Sequence, residues 1–196
     1  MSSGDGGMRE KIRQVALESF TERGYDGTSL REIAEQLDVT KAALYYHFKS
    51  KDAILLSLIV ELLDAMGELV TWGRAQPFSP AFQDDMLDRV ADLFFGDANR
   101  VVRLIQQNQP VLRALAADAA SKQVRDAGEL KALIGEVITL MTPADCDLHT
   151  RMRIRTAVAA IIFGPITGEQ LGDTLDASPD EQKKISLAIA RELLAI

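Results

Sequence analysis

Apolar residues recur at helical spacing through the first forty residues and predict two short helices. The first helix begins near Lys11 and stops at Gly24, because glycine takes the left-handed conformation of a helix C-terminus without strain. The second begins at Ser29, which has Glu32 three residues later, the spacing of a capping box. The apolar face of the first helix consists of Ile12, Val15, Ala16 and Phe20, and that of the second consists of Leu30, Ile33, Ala34 and Leu37.

A third short helix follows a tight turn at Asp38 and Val39. Thr40 is placed to cap this helix, which ends near His47 and carries polar and aromatic side chains outward. Two short helices joined by a turn of three or four residues predict a helix-turn-helix, in which the second helix enters the major groove of DNA.

The rest of the chain predicts only helices. A fourth helix, capped by Ser50, begins at Lys51 and ends before Pro77. Further helices are predicted at about 81–95, 99–108, 111–140 with an interruption near 126–128, 147–172, and from Ser178 to the C-terminus. Pro165 is expected to kink or interrupt the helix at 147–172, because proline removes a backbone donor.

The predicted fold class is therefore all-α, with a three-helix N-terminal head followed by a helical body. We expect a disordered, Gly- and Ser-rich leader over residues 1–8, a helix-turn-helix domain over 9–50 and a helical domain over 51–196.

The charge of the chain is unevenly distributed. The net charge is −7, but residues 1–60 hold eight basic and nine acidic residues, so most of the acidic excess lies outside the predicted head. No apolar run approaches the roughly 20 residues that span a bilayer. The N-terminus has no apolar signal core, and a single cysteine fits a reducing compartment. These features predict a cytoplasmic protein.

The head also carries a family resemblance, through Phe20, Gly24-Tyr25, Thr28-Ser29-Leu30, Ile33-Ala34, Val39-Thr40, Leu44-Tyr45-Tyr46-His47-Phe48 and Lys51. These residues are similar, in type and spacing, to the signature of the TetR family of transcriptional regulators. The chain departs from the family pattern at Asp38, where glycine is usual, and at Ala42, where glycine or proline is common. Asp38 should preserve the turn, because aspartate tolerates the left-handed region.

Lys41, Ala42 and Ala43 lie at the exposed start of the third helix, where side chains meet base edges. A lysine suits guanine, and alanines suit a thymine methyl group. The resemblance implies that Tyr46 faces the groove, and that phosphates are contacted by Thr28, Arg31, Thr40, Tyr45, His47 and Lys51. The alternative is that Tyr45 and His47 only brace Leu44 and Phe48 against the first helix.

The last two long helices hold more apolar and small residues than one core-facing stripe needs. They form either the central core of a monomer or a symmetric four-helix interface between two chains. The TetR resemblance implies the interface and a homodimer. The candidate interface residues are Ala157, Ile161, Gly168, Ile185, Ala188 and Ile189.

The resemblance further implies a cavity, enclosed by helices four to eight, for a largely apolar small-molecule effector. Candidate lining residues are Met66, Val70, Phe82, Met86, Gln107 and Phe163, and the alternative is that the apolar ones are ordinary core. Cys146 and His149, with Asp145 and Asp147 beside them, lie in one short turn and do not make a closed metal site, and the only other histidine is His47 in the third helix. We predict no cofactor, and no motif assigns residues to an enzyme reaction.

The sequence therefore predicts a ligand-responsive regulator that binds a double-stranded operator as a homodimer, most simply a repressor released from a palindromic site by a small molecule. The alternative is a helical small-molecule-binding protein whose head does not read DNA. Asp38, Ala42 and the acidic net charge motivate that alternative.

Overall fold

The computed structural model describes residues 3–117, 127–170 and 177–195, whose regular structure is entirely helical. This confirms the all-α prediction. The ten helices are α1 (Ser3–Arg23), α2 (Leu30–Gln36), α3 (Lys41–His47), α4 (Lys51–Arg74), α5 (Pro80–Phe94), α6 (Asp97–Gln107), α7 (Gln109–Ala117), α8 (Ala127–Met141), α9 (Leu148–Gln170) and α10 (Pro179–Leu194).

The chain divides into two compact units. The first, the head unit, comprises residues 1–62 and 100–126, and the second, the body unit, comprises residues 63–99 and 127–196. The division falls inside α4, whereas the sequence places a domain boundary at residue 50.

Two helices run further than the sequence predicts. α1 begins at Ser3, so residues 3–8 are helical where a disordered leader is expected. No proline stops the helix there, and each glycine costs a helix only about 1 kcal/mol. α9 continues through Pro165 without interruption. α9 as a whole packs against α5 and α10, and tertiary packing supplies most of the stability of a helix in a protein.

The core of the head unit joins α1, α2 and α3. Ile12, Phe20, Ile33, Leu44 and Phe48 are each at most 2% exposed. The Ser19 hydroxyl donates to Gln36 Oε1 at 3.1 Å, which ties α1 to the end of α2. The short helices of the head are therefore held by tertiary packing, since helices of seven residues are marginal alone.

The body unit is centred on α9, which packs against α5, α8 and α10. The inner face of α9 is completely buried at Ala157, Val158 and Ile161. Arg191 on α10 bonds Asp84 at 2.6 Å and Asp88 at 2.9 Å, both on α5. These partly exposed ion pairs link α10 to α5.

Within the described part of the chain, none of the helices has the length and apolar character needed to cross a bilayer.

Candidate nucleic-acid interface

The two helices of the predicted helix-turn-helix begin at the caps that the sequence indicates. At α2, the Ser29 oxygen accepts from the Glu32 N–H at 3.3 Å, and the Ser29 N–H donates to Glu32 Oε2 at 2.7 Å. At α3, the Thr40 hydroxyl oxygen accepts from the Ala43 N–H at 3.1 Å. The side chains of Ser29 and Thr40 thus fix where each helix starts.

The turn between α2 and α3 is made by a non-glycine residue in the left-handed region. Asp38 has φ 52°, and the Val39 N–H donates to the Ala34 carbonyl at 3.0 Å. The predicted tolerance of this turn for aspartate is confirmed. Asp38 therefore gives no structural reason to doubt the helix-turn-helix.

The α3 helix exposes nearly all of its side chains. Leu44 alone among its residues is fully buried, at 0% exposure, and it anchors the helix to the head core. Tyr46 is 71% exposed and Tyr45 is 36% exposed. Lys41, Ala42 and Ala43 are also exposed, so they form one accessible end of the helix. The residues predicted to meet base edges are thus brought together at the surface.

The C-terminal end of α3 is held by a residue that sequence reasoning missed. Arg9 Nη1 donates to the His47 carbonyl at 2.9 Å, and its guanidinium lies 4.2 Å from the centre of the Phe48 ring. A cation at this end also complements the helix dipole. The two residues are 38 positions apart in the chain, so no local sequence pattern predicts their contact.

Lys51 is positioned by Tyr25 at the start of α4. Its Nζ donates to the Tyr25 carbonyl at 2.6 Å and lies 4.1 Å from the centre of the Tyr25 ring. The Tyr25 hydroxyl in turn donates to Asp52 Oδ1. Burial, and next the bond to Asp52, raise the pKa of Tyr25 above its usual value. An ammonium has three donors, and the bond to the Tyr25 carbonyl engages one of them.

Two other predicted phosphate contacts differ in accessibility. Thr28 is only 3% exposed, and its hydroxyl lies 3.1 Å from the Ser19 carbonyl and 2.9 Å from the Gly24 carbonyl. Its side chain therefore closes the corner after α1 and cannot reach DNA, which corrects that assignment. Arg31, by contrast, lies on the surface of α2 and bonds Glu35 at 2.7 Å.

The predicted interface residues separate into two groups. Ala157 and Ile161 are 0% exposed in the core of the body unit, so they cannot meet a second chain, and their assignment is wrong. Ile185 and Ile189 are 57% and 47% exposed, and Ala188 is exposed between them. Gly168 falls in α9 beyond the residues whose side-chain surroundings the structure describes.

The predicted effector residues also differ in their surroundings. The side chains of Met66, Val70, Phe82 and Met86 are buried in the body unit, whereas Gln107 is exposed on α6 and Phe163 is half-buried on α9. A Cβ on Gly73 would lie 2.6 Å from Met86 Cε, which shows how closely this region is packed. Their role in binding an effector stays a prediction.

Residues 12–58 match the family model of the bacterial regulatory proteins, tetR family. The chain is 40% identical over 100 residues to the biofilm operon icaADBC HTH-type negative transcriptional regulator IcaR of Staphylococcus aureus (strain Newman), covering 51% of this chain and 53% of the relative. For the same regulator of Staphylococcus epidermidis the identity is 45% over 47 residues, which cover 24% of this chain and 25% of the relative. The chain thus spans about half the length, or less, of these curated relatives.

Solved structures extend the likeness of fold to nearly the whole chain. A putative TetR-family regulator from Mesorhizobium loti has a TM-score of 0.61 at 19% identity and covers 98% of this chain and 97% of its own. The TetR family regulator PfmR from Thermus thermophilus has a TM-score of 0.66 at 16% identity, with 94% and 97% covered. The helix-turn-helix head and the helical body are therefore confirmed as the fold, and the resemblance to TetR regulators is confirmed.

Proposed function

We propose that this TetR-family chain is a transcriptional repressor that binds a palindromic DNA operator as a homodimer and is released by a small molecule. It works in the cytoplasm, where DNA and a reduced cysteine are both expected. The observation that carries the proposal is the exposed face of α3, which is capped, anchored by Leu44 and otherwise turned to solvent.

The proposed reading of bases rests on the first turn of α3. Ala42 and Ala43 add little bulk, so the helix can approach the floor of the major groove and touch thymine methyl groups. Lys41 lies 5.4 Å from the centre of the Tyr45 ring, which holds the ammonium near the helix start, where it can donate to guanine. Tyr46, the most exposed aromatic side chain of α3, faces the groove.

The proposed phosphate contacts come from groups around α3. Lys51 is held at the N-terminus of α4, where free amides and the helix dipole also favour an anion. The exposed side chains of Arg31, Thr40 and Tyr45 add donors on the same unit, and His47 contributes from the end of α3. Phosphate contacts position the head without selecting a sequence.

Dimerisation is proposed to use the exposed apolar stripe of α10, formed by Ile185, Ala188 and Ile189. Isolated exposed isoleucines are ordinary, but two on one helix face with an alanine between them form a continuous apolar strip. A two-fold axis through this stripe makes the contact self-complementary. Two heads joined in this way match the symmetry of a palindromic operator.

Release by a ligand is proposed to act through α4. This helix is continuous from Lys51 to Arg74, so a ligand-dependent shift of its second half displaces Lys51. A largely apolar effector held by Met66, Val70, Phe82 and Met86, with Phe163 as a further candidate on the same unit, would favour the shifted arrangement. The ligand can lower DNA affinity only by its differential affinity for the two states.

The decisive experiment is selection of duplexes from a random pool by the purified full chain at near-physiological salt. We expect enrichment of one palindromic site by the wild-type chain. Lys41→Ala should change or abolish the selected sequence, whereas Lys11→Ala, which removes an exposed lysine from α1, should leave it intact. Failure to enrich any site would favour the small-molecule-binding alternative.

A further inference from the structure

A groove of about 490 Å³ lies on the body unit where α8 ends and α9 begins. Its volume falls within the range of about 300–1,000 Å³ that small-molecule sites occupy. The groove contains none of the effector residues predicted from the sequence. It is lined by Ile138, Thr139, Thr142, Pro143, Ala144, Leu148, Arg151, Met152 and Arg155.

The wall of the groove is mainly apolar, and part of it is open to water. Leu148 is 75% exposed and Met152 is 45% exposed, one turn apart on α9. Pro143 and Ala144 continue the apolar surface into the loop before α9. An aliphatic chain lying here would remove these side chains from water, which is favourable in proportion to the apolar area covered.

The polar groups of the groove are mainly unused donors. Within the described residues, Arg151 has no side-chain hydrogen bond or ion pair, and the one side-chain hydrogen bond of Arg155 is to the Met152 sulfur, at 3.1 Å. The neighbouring Arg153, by contrast, donates to the carbonyls of Glu192 and Leu193. Two guanidiniums one turn apart therefore border the groove without a carboxylate.

The other polar groups near the groove are already engaged. The Thr139 hydroxyl donates to the Gly135 carbonyl at 2.9 Å, and the Thr142 hydroxyl donates to the Ile138 carbonyl at 2.6 Å. Asp147, next to the groove in sequence, caps α9 by accepting from the Thr150 N–H at 2.7 Å. The remaining hydrogen-bond donors of the groove are therefore guanidinium groups, which favour an anionic ligand.

We propose that this groove binds an amphiphilic anion, a small molecule with one carboxylate and an aliphatic chain. The carboxylate accepts from Arg151 and Arg155, since guanidinium matches carboxylate geometry with paired hydrogen bonds. The chain lies along Leu148, Met152 and Pro143. Binding here does not depend on the DNA-reading head, so the site can be tested whether or not an operator exists.

The test is calorimetric titration of the full chain with octanoate, 1-octanol and octylammonium, which share one aliphatic chain. We expect octanoate to bind, and octanol and octylammonium to bind at least tenfold more weakly. The Arg151→Gln/Arg155→Gln double variant should lose at least tenfold in octanoate affinity. Lys184→Gln, which removes an exposed cation of α10, should not change it.

A second variant tests the apolar wall. Leu148→Gln should lower the affinity for octanoate at least threefold. The variant should stay folded, because Leu148 is mostly exposed. The proposal is overturned by equal octanoate affinity in the wild type and the double arginine variant, or by equal affinity for octylammonium. Inorganic phosphate that binds as well as octanoate would also overturn it, because the apolar wall would then have no part.

Sedimentation of the same variants distinguishes a small molecule from a second copy of the chain. We expect Leu148→Gln and the double arginine variant to keep the oligomeric state of the wild type. A change of that state, with no octanoate binding in the wild type, would assign the groove to a contact between chains and overturn the proposal.

Discussion

The helices α3 and α10 both leave large side chains in water, but the chemistry of the exposed residues differs. α3 exposes a lysine, two tyrosines and two alanines over seven residues. α10 exposes Ile185, Ala188 and Ile189 over sixteen residues and is tied to α5 through Arg191. A polar, donor-rich face suits a hydrated polyanion, whereas an apolar stripe suits another protein surface.

The two helices also differ in how they are held. α3 is held by the buried Leu44, by its Thr40 cap and by Arg9 at its C-terminal end, so its outer face carries little of the stability of the head. α10 buries Leu187 and Ala190 and adds its ion pairs, so changes on its outer stripe should leave the fold intact. On both helices, the residues proposed to bind a partner thus differ from those that hold the fold, and each role can be tested by single substitutions.

The largest effect should come from breaking the α10 stripe. Ile189→Glu places a carboxylate where the proposed interface is apolar, and an unpaired buried charge is costly. We expect monomers, and a loss of full-site operator affinity of about 10²–10⁴-fold, because the second head then binds as a separate molecule. Analytical ultracentrifugation and operator titration measure the two effects.

The control for that variant is Ile189→Leu, which keeps the stripe apolar and should leave the dimer intact. Circular dichroism should show unchanged helix content in both. An Ile189→Glu protein that remains dimeric at micromolar concentration would remove this residue from the interface.

Substitutions of the buried anchor of α3 and of its outer face should affect different properties, folding stability and DNA binding respectively. Leu44→Ala removes a fully buried side chain and should lower the free energy of unfolding by about 2–5 kcal/mol. Tyr46→Ala should change it by less than about 0.5 kcal/mol, because Tyr46 is mostly exposed, yet it should impair operator binding. Urea unfolding and DNA titration of the two variants would show this. Equal loss of stability in both would contradict the separation of roles.

The phosphate assignments can be separated by charge. Lys51→Ala should weaken binding to every sequence and lower the slope of log affinity against log salt by about one per head. Tyr45→Ala should weaken binding without changing the slope, since tyrosine carries no charge. Titrations at several salt concentrations decide, with Lys11→Ala as the matched loss of a cation from α1. An unchanged slope in Lys51→Ala would refute the contact.

The smallest effect is expected at two helix caps, Ser29 at the start of α2 and Ser178 at the start of α10. Ser29→Ala and Ser178→Ala should each cost about 1 kcal/mol, because each removes the hydroxyl of a capping box. Bonds from Ser29 and Ser178 lower the pKa values of Glu32 and Glu181. The capping stabilisation is therefore present above the ordinary glutamate pKa and is lost as the pH falls through the lowered values. Urea unfolding at neutral and at acidic pH would show that acid lowers the free energy of unfolding less in each variant than in the wild type.

Sequence reasoning succeeded where the cause is local. Ser29, Thr40, Ser50 and Ser178 cap helices within three residues of themselves, so their patterns are visible along the chain. It failed where tertiary packing decides. The sequence periodicity of α9 and α10 does not reveal which apolar residues face the core. Ile161 on α9 is buried in its own unit, whereas Ile185 and Ile189 on α10 are exposed.

The same limit explains the errors in the head. Thr28 fits a motif, but its burial is set by the carbonyls of Ser19 and Gly24, which only the fold brings to it. Arg9 lies far from α3 in sequence, so its contact with the His47 carbonyl could not be predicted.

Asp38 makes the turn before α3 a position where one substitution should raise the proposed affinity for DNA. It holds a carboxylate at the edge of the proposed DNA surface and keeps a left-handed backbone, while no side-chain bond ties it to the rest of the head within the described residues. Asp38→Gly would remove both the repelling charge and the strain without disturbing a packed neighbour. The affinity of the proposed repressor for DNA could thus be raised here without changing the residues of α3 that are proposed to read the operator.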